Sequence, residues 1–235
     1  MTSGSGLPLG IAGGLPQWAE ARTIIGRIGA FGQTVPSNVP YSRPRLLNSV
    51  VRRRRMLVDV VLCPIADLTD DGRADVAALS RAVYPPAVSA AWPGRHLEWS
   101  AHESAVLIRA ADGELICYVG LVVRSALHDG RSVRLGGIGG VKTHPAARRQ
   151  GCAARAVRRA VASFQERADI EFGLLVCEPQ LIGYYQRLGW QEFGGRLLVT
   201  QRGRPAEFTL NRVMVCGVQG VGPSTGTIDL LGPPW

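Results

Sequence analysis

The chain has no long apolar run, and this absence argues against one large class of proteins. A helix that crosses a bilayer needs roughly 20 consecutive apolar residues, and no stretch of the 235-residue sequence approaches that length. We therefore expect no membrane partner. The hydrophobic content of 46% and the charged content of 19% are typical of a globular protein. The length suffices for one well-buried domain with additional segments.

Cysteine is also scarce, and its placement excludes two kinds of stabilisation. The five cysteines are odd in number and widely spaced, with no CxxC pair: Cys63, Cys117, Cys152, Cys177 and Cys216. This pattern predicts buried thiols in a reducing compartment, with neither disulfides nor a zinc site. We expect a cytoplasmic protein that holds no metal.

Acidic residues are almost missing from residues 1–55, which hold eight arginines and one acid, Glu20. These residues carry +7 of the total charge of +9, so the remainder is only about +2. Gly, Pro and Ser are mixed with short apolar pieces, which predicts a disordered basic N-terminal extension. An organelle transit peptide, or an upstream extension before a start at Met56, would have the same composition. Because basic runs beside a domain are most often solvated, we do not expect a nucleic-acid partner.

From Met56 onward the sequence is orderly, and we assign residues 56–235 to one domain. Leu57–Pro64 is a predicted strand, and Thr69 caps a predicted helix with acids in its first turn. Two apolar stretches around Asp112-Gly113 predict a β-hairpin. Later strands are predicted at 170–177, 197–201, 208–216 and 227–231. The fold class is therefore α/β (α+β).

The most informative stretch runs from Leu135 to Phe164. It opens as a strand, Val133–Thr143, that four glycines interrupt, and strand glycines often mark a bulge or the close approach of a ligand. A helix follows Gly151, preceded by Arg148 and Arg149. Unpaired backbone N–H groups at a helix start, flanked by arginine, form a phosphate site. A solvated basic turn is the alternative, but the strand, turn and helix together favour an anion site.

This stretch resembles the acetyl-CoA motif of the GCN5-related N-acetyltransferases (GNAT). The family's phosphate loop is Q/R-x-x-G-x-G/A, and Arg148, Gly151 and Ala153 match its fixed places. A second segment, Tyr184 to Trp190, resembles the family's F-Y-x-x-x-G-F/W pattern. The resemblance covers roughly residues 56–190. Two motifs in order are far more specific than either alone.

The resemblance implies a single GNAT-like domain with a central mixed, mostly antiparallel sheet flanked by helices. It implies acetyl-CoA as the acyl donor, with its pantetheine arm between two splayed strands and its pyrophosphate at the loop. The residues so implied to bind the cofactor are Val141, Lys142, Thr143, Arg148, Arg149, Gln150, Gly151, Cys152 and Ala153.

The reaction implied is direct attack of a primary amine on the thioester, for which Tyr185 matches the position that protonates the coenzyme A sulfur. The general base is not determined: the candidates are Glu103, Glu178, Glu98 and a water chain to a backbone carbonyl. Residues 87–104 concentrate aromatic and acidic side chains in a connection, which suits a substrate wall built by Trp92, Glu98 and Trp99. Equally, the tryptophans could cover the edge of the core.

The acceptor is the least determined part of the prediction. The motif region loosely resembles aminoglycoside 2'-N-acetyltransferases, which favours a small polyamine-like acceptor. Some of those enzymes carry an acid just before the cofactor motif, where this chain has Gly139 and Gly140. A protein or peptide amine, and a non-catalytic acyl-CoA-binding module, are the alternatives. The sequence leaves open whether the chain forms a homodimer.

Overall fold

The computed structural model describes residues 59–235, which form a ten-stranded mixed sheet with four α-helices. In chain order, the elements are β1 Asp59–Pro64, α1 Asp70–Val83, α2 Pro86–Ala90, β2 Ser104–Arg109, β3 Leu115–His128, β4 Arg131–Thr143, α3 Cys152–Gln165, β5 Phe172–Cys177, α4 Ile182–Gln186, β6 Gln191–Glu192, β7 Arg196–Gln201, β8 Arg204–Glu207, β9 Arg212–Gly217 and β10 Thr227–Asp229. Short 3-10 turns precede α1, follow α2, and lead into α3 and α4.

The sheet runs in the order β6-β9-β5-β4-β3-β10-β7-β8. β2 pairs with the first half of β3 and β10 with its last residues, and β1 pairs with β2. Only two of the pairings among these strands are parallel, β4 with β5 and β7 with β10. The predicted fold class, a mixed and mostly antiparallel sheet flanked by helices, is therefore confirmed.

Helices cover the sheet on both faces. The Thr69 hydroxyl accepts a hydrogen bond from the Gly72 N–H at 3.1 Å and so caps α1, as predicted. α1 packs Leu79 and Val83 against one face, which we call the α1 face. α3 packs on the opposite face, the α3 face, where Phe164 lies so close to β4 that a Cβ on Gly136 would be 2.6 Å from its ring.

The structure differs from the sequence prediction around β8. A strand was predicted over 208–216, but β9 begins only at Arg212, and Phe208 is buried in a loop. β8 was not predicted. It forms because Arg202 and Gly203 both take left-handed backbone conformations, the geometry of a tight hairpin turn between β7 and β8.

The C-terminal segment after β10 crosses the α1 face. Its carbonyls accept hydrogen bonds from Ser100 N–H and the Arg124 guanidinium, each at 2.6 Å. The segment ends with the Trp235 indole packed over Gly137 of β4, where any Cβ would collide with it. A residue far from the motifs is thereby brought to the centre of the sheet.

The predicted basic extension, residues 1–55, lies outside the described residues. Within residues 59–235, no helix combines the length and the apolar character that a membrane span requires.

Candidate active site

The central feature of the site is the point where β4 and β5 separate. The two strands pair in parallel from Leu135 with Phe172 to Ile138 with Leu175, and no pairing between them follows. Immediately beyond, Gly140 has a φ of 56°, and the register between β3 and β4 shifts. This is a β-bulge, which bends β4 away from β5 and requires a residue that tolerates the left-handed region. The glycines of β4 therefore open the sheet.

A narrow cavity of about 50 Å³ occupies the opening, and we call it the transfer slot. Backbone of β4 forms one wall and the end of β5 the other. Its side chains include a carboxylate, a thiol, a phenol and two indoles: Glu178, Cys177, Tyr185, Trp99 and Trp235.

A second cavity of about 540 Å³ runs from the opening to the start of α3, and we call it the long cavity. Seven of the nine residues predicted to bind the cofactor line it: Val141, Thr143, Arg148, Arg149, Gly151, Cys152 and Ala153. Tyr185 lines this cavity as well as the transfer slot. The two cavities therefore meet around Tyr185.

The side chains of two predicted cofactor residues do not reach the long cavity. Lys142, the only lysine of the chain, is fully buried on the α1 face, where its Nζ donates to Ser80 Oγ at 2.9 Å. Side chains alternate along a strand, so Lys142 points away from the face of Val141 and Thr143. Gln150 is exposed and donates to the Ala146 carbonyl at 3.0 Å.

The start of α3 has the geometry of an anion site. Arg149 and Gly151 have φ values of 64° and 81°, and the N-cap Gly151 offers no side chain to the first turn. The first N–H groups of a helix have no partner within it, and they carry its positive dipole end. A Cβ on Gly151 would meet nothing within 4 Å, so the space beside the loop is open. With two arginines on the cavity wall, this end suits a pyrophosphate.

The two tyrosines of α4 differ in their surroundings. Tyr185 is 4% exposed, and burial raises the pKa of its phenol well above the usual range. Burial also raises the pKa of Tyr184, to about 12. The Tyr184 hydroxyl is buried in the wall of the long cavity and has no hydrogen-bond partner among residues 59–235. An orphaned donor there fits a ligand with acceptor groups, as the pantetheine amides have.

The thiol in the transfer slot is not a nucleophile. Burial, together with the neighbouring Glu192 and Glu178, raises the pKa of Cys177 to about 12. Because the thiolate is the reactive form, the protonated thiol does not attack an acyl group at neutral pH. The arrangement therefore supports direct transfer without an acetyl-cysteine intermediate.

The predicted bases are not brought together. Only Glu178 lines the transfer slot, and its carboxylate accepts a hydrogen bond from Gln180. Glu103 is exposed and accepts from the Val123 N–H at 3.3 Å, and it lines neither cavity. The Glu98 carboxylate accepts a hydrogen bond from the Arg202 N–H at 2.8 Å, which ties the loop before β2 to the turn after β7.

Of the predicted substrate residues, only Trp99 reaches the transfer slot. Trp92 is 4% exposed and packs against Trp99 with ring centroids 5.3 Å apart. Trp92 therefore supports Trp99 from behind, and only Trp99 can contact a molecule in the transfer slot. Sequence reasoning missed Trp235 and the cavity-facing Tyr184 in this region. A local signal existed only for Tyr184, which stands beside Tyr185 in the motif.

Comparison with known proteins identifies the family. A sequence profile described as an acetyltransferase (GNAT) domain matches residues 64–193, more than half of the chain. The chain belongs to this family. It is an N-acetyltransferase, and its acyl donor is acetyl-CoA.

Solved structures with a similar chain trace include members of the same family. A GNAT family N-acetyltransferase (YhbS) from Escherichia coli in complex with CoA is 19% identical, with 81% of this chain and 93% of that chain covered and a TM-score of 0.48. Escherichia coli ElaA is 15% identical, with 68% and 99% covered and a TM-score of 0.49. A GNAT family acetyltransferase from Brucella melitensis in complex with acetyl-CoA is 15% identical, with 72% and 94% covered and a TM-score of 0.43. No curated protein matches the chain.

Proposed function

We propose that the protein transfers the acetyl group of acetyl-CoA to a primary amine of a small polycationic acceptor, and that Tyr185 protonates the departing thiolate. The observation that carries this proposal is the position of Tyr185. Among residues 59–235, it is the one titratable side chain that lines both the long cavity and the transfer slot. A proton donor at that junction lies where a thioester leaving the long cavity would meet an acceptor in the slot.

The cofactor is assigned to the long cavity. Its pyrophosphate would be held by the N–H groups at the start of α3 together with Arg148 and Arg149, which line the cavity. Its pantetheine arm would be held along β4 at Val141 and Thr143, where the strand has no β5 partner. Acetyl-CoA supplies the activated acyl group, and the side chains of the protein orient it and exclude water from it.

The acceptor class follows from the wall of the slot. Its described lining holds one carboxylate, Glu178, and the indoles of Trp99 and Trp235, and it includes no arginine or lysine. Carboxylates and indole faces both attract ammonium groups. We assign Glu178 to holding the acceptor ammonium in the slot. An aminoglycoside-like polyamine is the acceptor that we propose.

Thiol release from acetyl-CoA, measured against a panel of amines, tests the proposal. The panel contains spermidine, an aminoglycoside, a lysine-containing peptide and a neutral alcohol of similar size. We expect turnover with the polyamines, and a KM for the amine at least 10-fold higher in Glu178→Gln with unchanged acetyl-CoA affinity. If the protein prefers the lysine-containing peptide, the acceptor is a protein or peptide amine and not a small polyamine. If the protein binds acetyl-CoA but releases no thiol in response to any amine, it is a non-catalytic acyl-CoA-binding module.

A further inference from the structure

A side-chain amide lies in the wall of the transfer slot, just before β9 begins. It belongs to Asn211, which lines the slot together with Glu178, the residue that follows β5. The Asn211 side chain is half-buried, and no group among residues 59–235 forms a hydrogen bond with its amide. Polar groups that lose contact with water are usually paired in folded proteins. The Asn211 amide therefore indicates that the slot binds a polar ligand.

The strand register places this amide beside the carboxylate of the slot. β5 and β9 are antiparallel, and Cys177 lies opposite Arg212 in their last pair. Continuing that register by one residue brings Glu178 opposite Asn211, and both line the slot. Side chains directly opposite each other on antiparallel strands share a face, with Cβ atoms roughly 5 Å apart. The carboxylate and the amide therefore form one polar wall on the β5–β9 side of the slot.

The polar wall lies on the α1 face, where the two indoles of the slot are also found. Because side chains alternate along a strand, Asn211 points to the same side as Val213, which packs in the cluster that contains both indoles. Arg212 points to the opposite side, with its Nη1 3.7 Å from the carboxylate of Glu192. The cation next to Asn211 in sequence is therefore directed away from the slot.

An ammonium group needs hydrogen-bond acceptors when it leaves water, and this wall supplies two. A primary ammonium has three N–H donors, of which the Glu178 carboxylate accepts one and the Asn211 carbonyl oxygen accepts another. The indole faces opposite attract the positive charge. An ammonium held by two acceptors on the β5–β9 side turns its third N–H toward β4 and the opening of the sheet. That opening is where we assign the thioester.

We infer that Asn211 is a specificity-determining residue, whose carbonyl oxygen accepts an N–H of the acceptor ammonium beside Glu178. The inference rests on the proposed function and adds the reason for selecting a primary amine. The wall engages two N–H groups, and the third position must be free of carbon for the nitrogen to reach the thioester. A monomethylated nitrogen satisfies the wall but presents its methyl group to the thioester. A dimethylated nitrogen has one N–H and leaves one acceptor of the wall unpaired.

Calorimetric titration of spermidine into the protein saturated with CoA tests the inference without turnover. Asn211→Leu keeps the size of the side chain and removes the acceptor, so spermidine affinity should fall about 10-fold or more. Asn211→Asp keeps the shape and adds a negative charge, so the affinity should rise several-fold. The matched control is Gln191→Leu, which removes an exposed amide of β6 that lines neither cavity and should leave the affinity unchanged. Equal affinities for Asn211→Leu and wild type would overturn the inference.

Methylation of the ligand tests the same hydrogen bond from the other side. Wild type should bind putrescine more tightly than its tetramethyl derivative, because each dimethylated nitrogen has only one N–H. In Asn211→Leu this preference should shrink, since the wall then has one acceptor fewer to satisfy. A preference of the same size in both proteins would show that Asn211 does not contact the ammonium.

Steady-state kinetics separate this role from the other one open to an amide, donation to the carbonyl oxygen of the thioester. If Asn211 accepts from the ammonium, Asn211→Asp should lower KM for spermidine and keep kcat within about threefold, with KM for acetyl-CoA unchanged. A collapse of kcat at unchanged KM would overturn the inference, because an aspartate has no N–H to donate to that oxygen. The proposed function fails separately, by the absence of amine-dependent thiol release from wild type.

Discussion

At the scale of single residues, Tyr185 provides the sharpest test of the acid. Tyr185→Phe keeps the buried ring and its edge-on contact with Trp190, 6.4 Å between centroids, and removes only the hydroxyl. We expect turnover to fall on the order of 10²-fold and acetyl-CoA affinity to stay the same. Because burial holds the pKa of the phenol above its usual range, Tyr185 stays protonated through neutral and mildly alkaline pH. The loss should therefore be the same from pH 7 to about 9.5.

The turnover rates of wild type and Tyr185→Phe, measured at saturating amine with chemistry shown to be rate-limiting, test this assignment of the acid. Tyr184→Phe is the matched control, since it removes the neighbouring hydroxyl from the long cavity. It should weaken acetyl-CoA binding several-fold and leave the rate at saturation unchanged. Equal rates for wild type and Tyr185→Phe would assign the acid to another group.

The thiol of Cys177 gives a second residue-scale prediction. A pKa of about 12 keeps the thiol protonated at neutral pH, so it should take no part in acyl transfer. Cys177→Ala should retain turnover within about threefold and lose ~1 kcal/mol of stability from the vacated volume. Mass spectrometry of protein quenched during turnover should find no acetylated cysteine. Acetyl-Cys177, formed and consumed at the catalytic rate, would show a covalent route instead.

At the scale of elements, the start of α3 carries the cofactor prediction. Gly151→Glu places a carboxylate where we assign the pyrophosphate, so acetyl-CoA affinity should fall by roughly 100-fold or more. The residue has a φ of 81°, and a side chain there costs about 1–2 kcal/mol in any case. Calorimetry with acetyl-CoA measures the binding loss, and thermal unfolding measures the strain.

The hairpin glycine Gly113 supplies the control for that strain. Its φ is 91°, and a Cβ there would also meet nothing within 4 Å. Gly113 lies in the turn between β2 and β3 and lines neither cavity. Gly113→Glu should therefore lose similar stability and keep acetyl-CoA affinity. Equal affinities for the two variants would contradict the assignment of the phosphate to α3.

The elements that sequence reasoning could find are those whose signals are local. The glycines of β4, the arginines before α3 and the cap of α1 are each readable within a few residues. The orientation of Lys142 was readable too, because alternation along β4 places it opposite Val141 and Thr143. Its inclusion among the cofactor residues followed the family motif rather than the strand period.

The missed parts of the site depend on long-range packing. Trp235 reaches the transfer slot because Ser100 and Arg124 hold the C-terminal segment on the α1 face. No pattern within a few residues encodes that contact. Such residues become visible only when the strands are assembled.

At the scale of the whole molecule, charge and chemistry are separated along the chain. Residues 59–235 contain both cavities and every residue to which we assign a step. Residues 1–55 carry +7 of the net charge and match no part of the family profile, which begins at residue 64. The fold and the reaction should therefore not depend on them.

A protein that begins at Met56 tests this separation. It keeps β1, which pairs with β2 from Asp59 with Arg109 to Pro64 with Ser104, and it should fold and turn over like the full chain. It should also lose any salt-dependent affinity for DNA that the full chain shows, because that affinity depends on cationic contacts to phosphates.

A protein that begins at Ala66 is the control. It removes β1, leaves the hydrogen-bonding edge of β2 unpaired, and should unfold at a clearly lower temperature. Normal unfolding of the Met56 protein with lost turnover would show that the basic segment contributes to the active site.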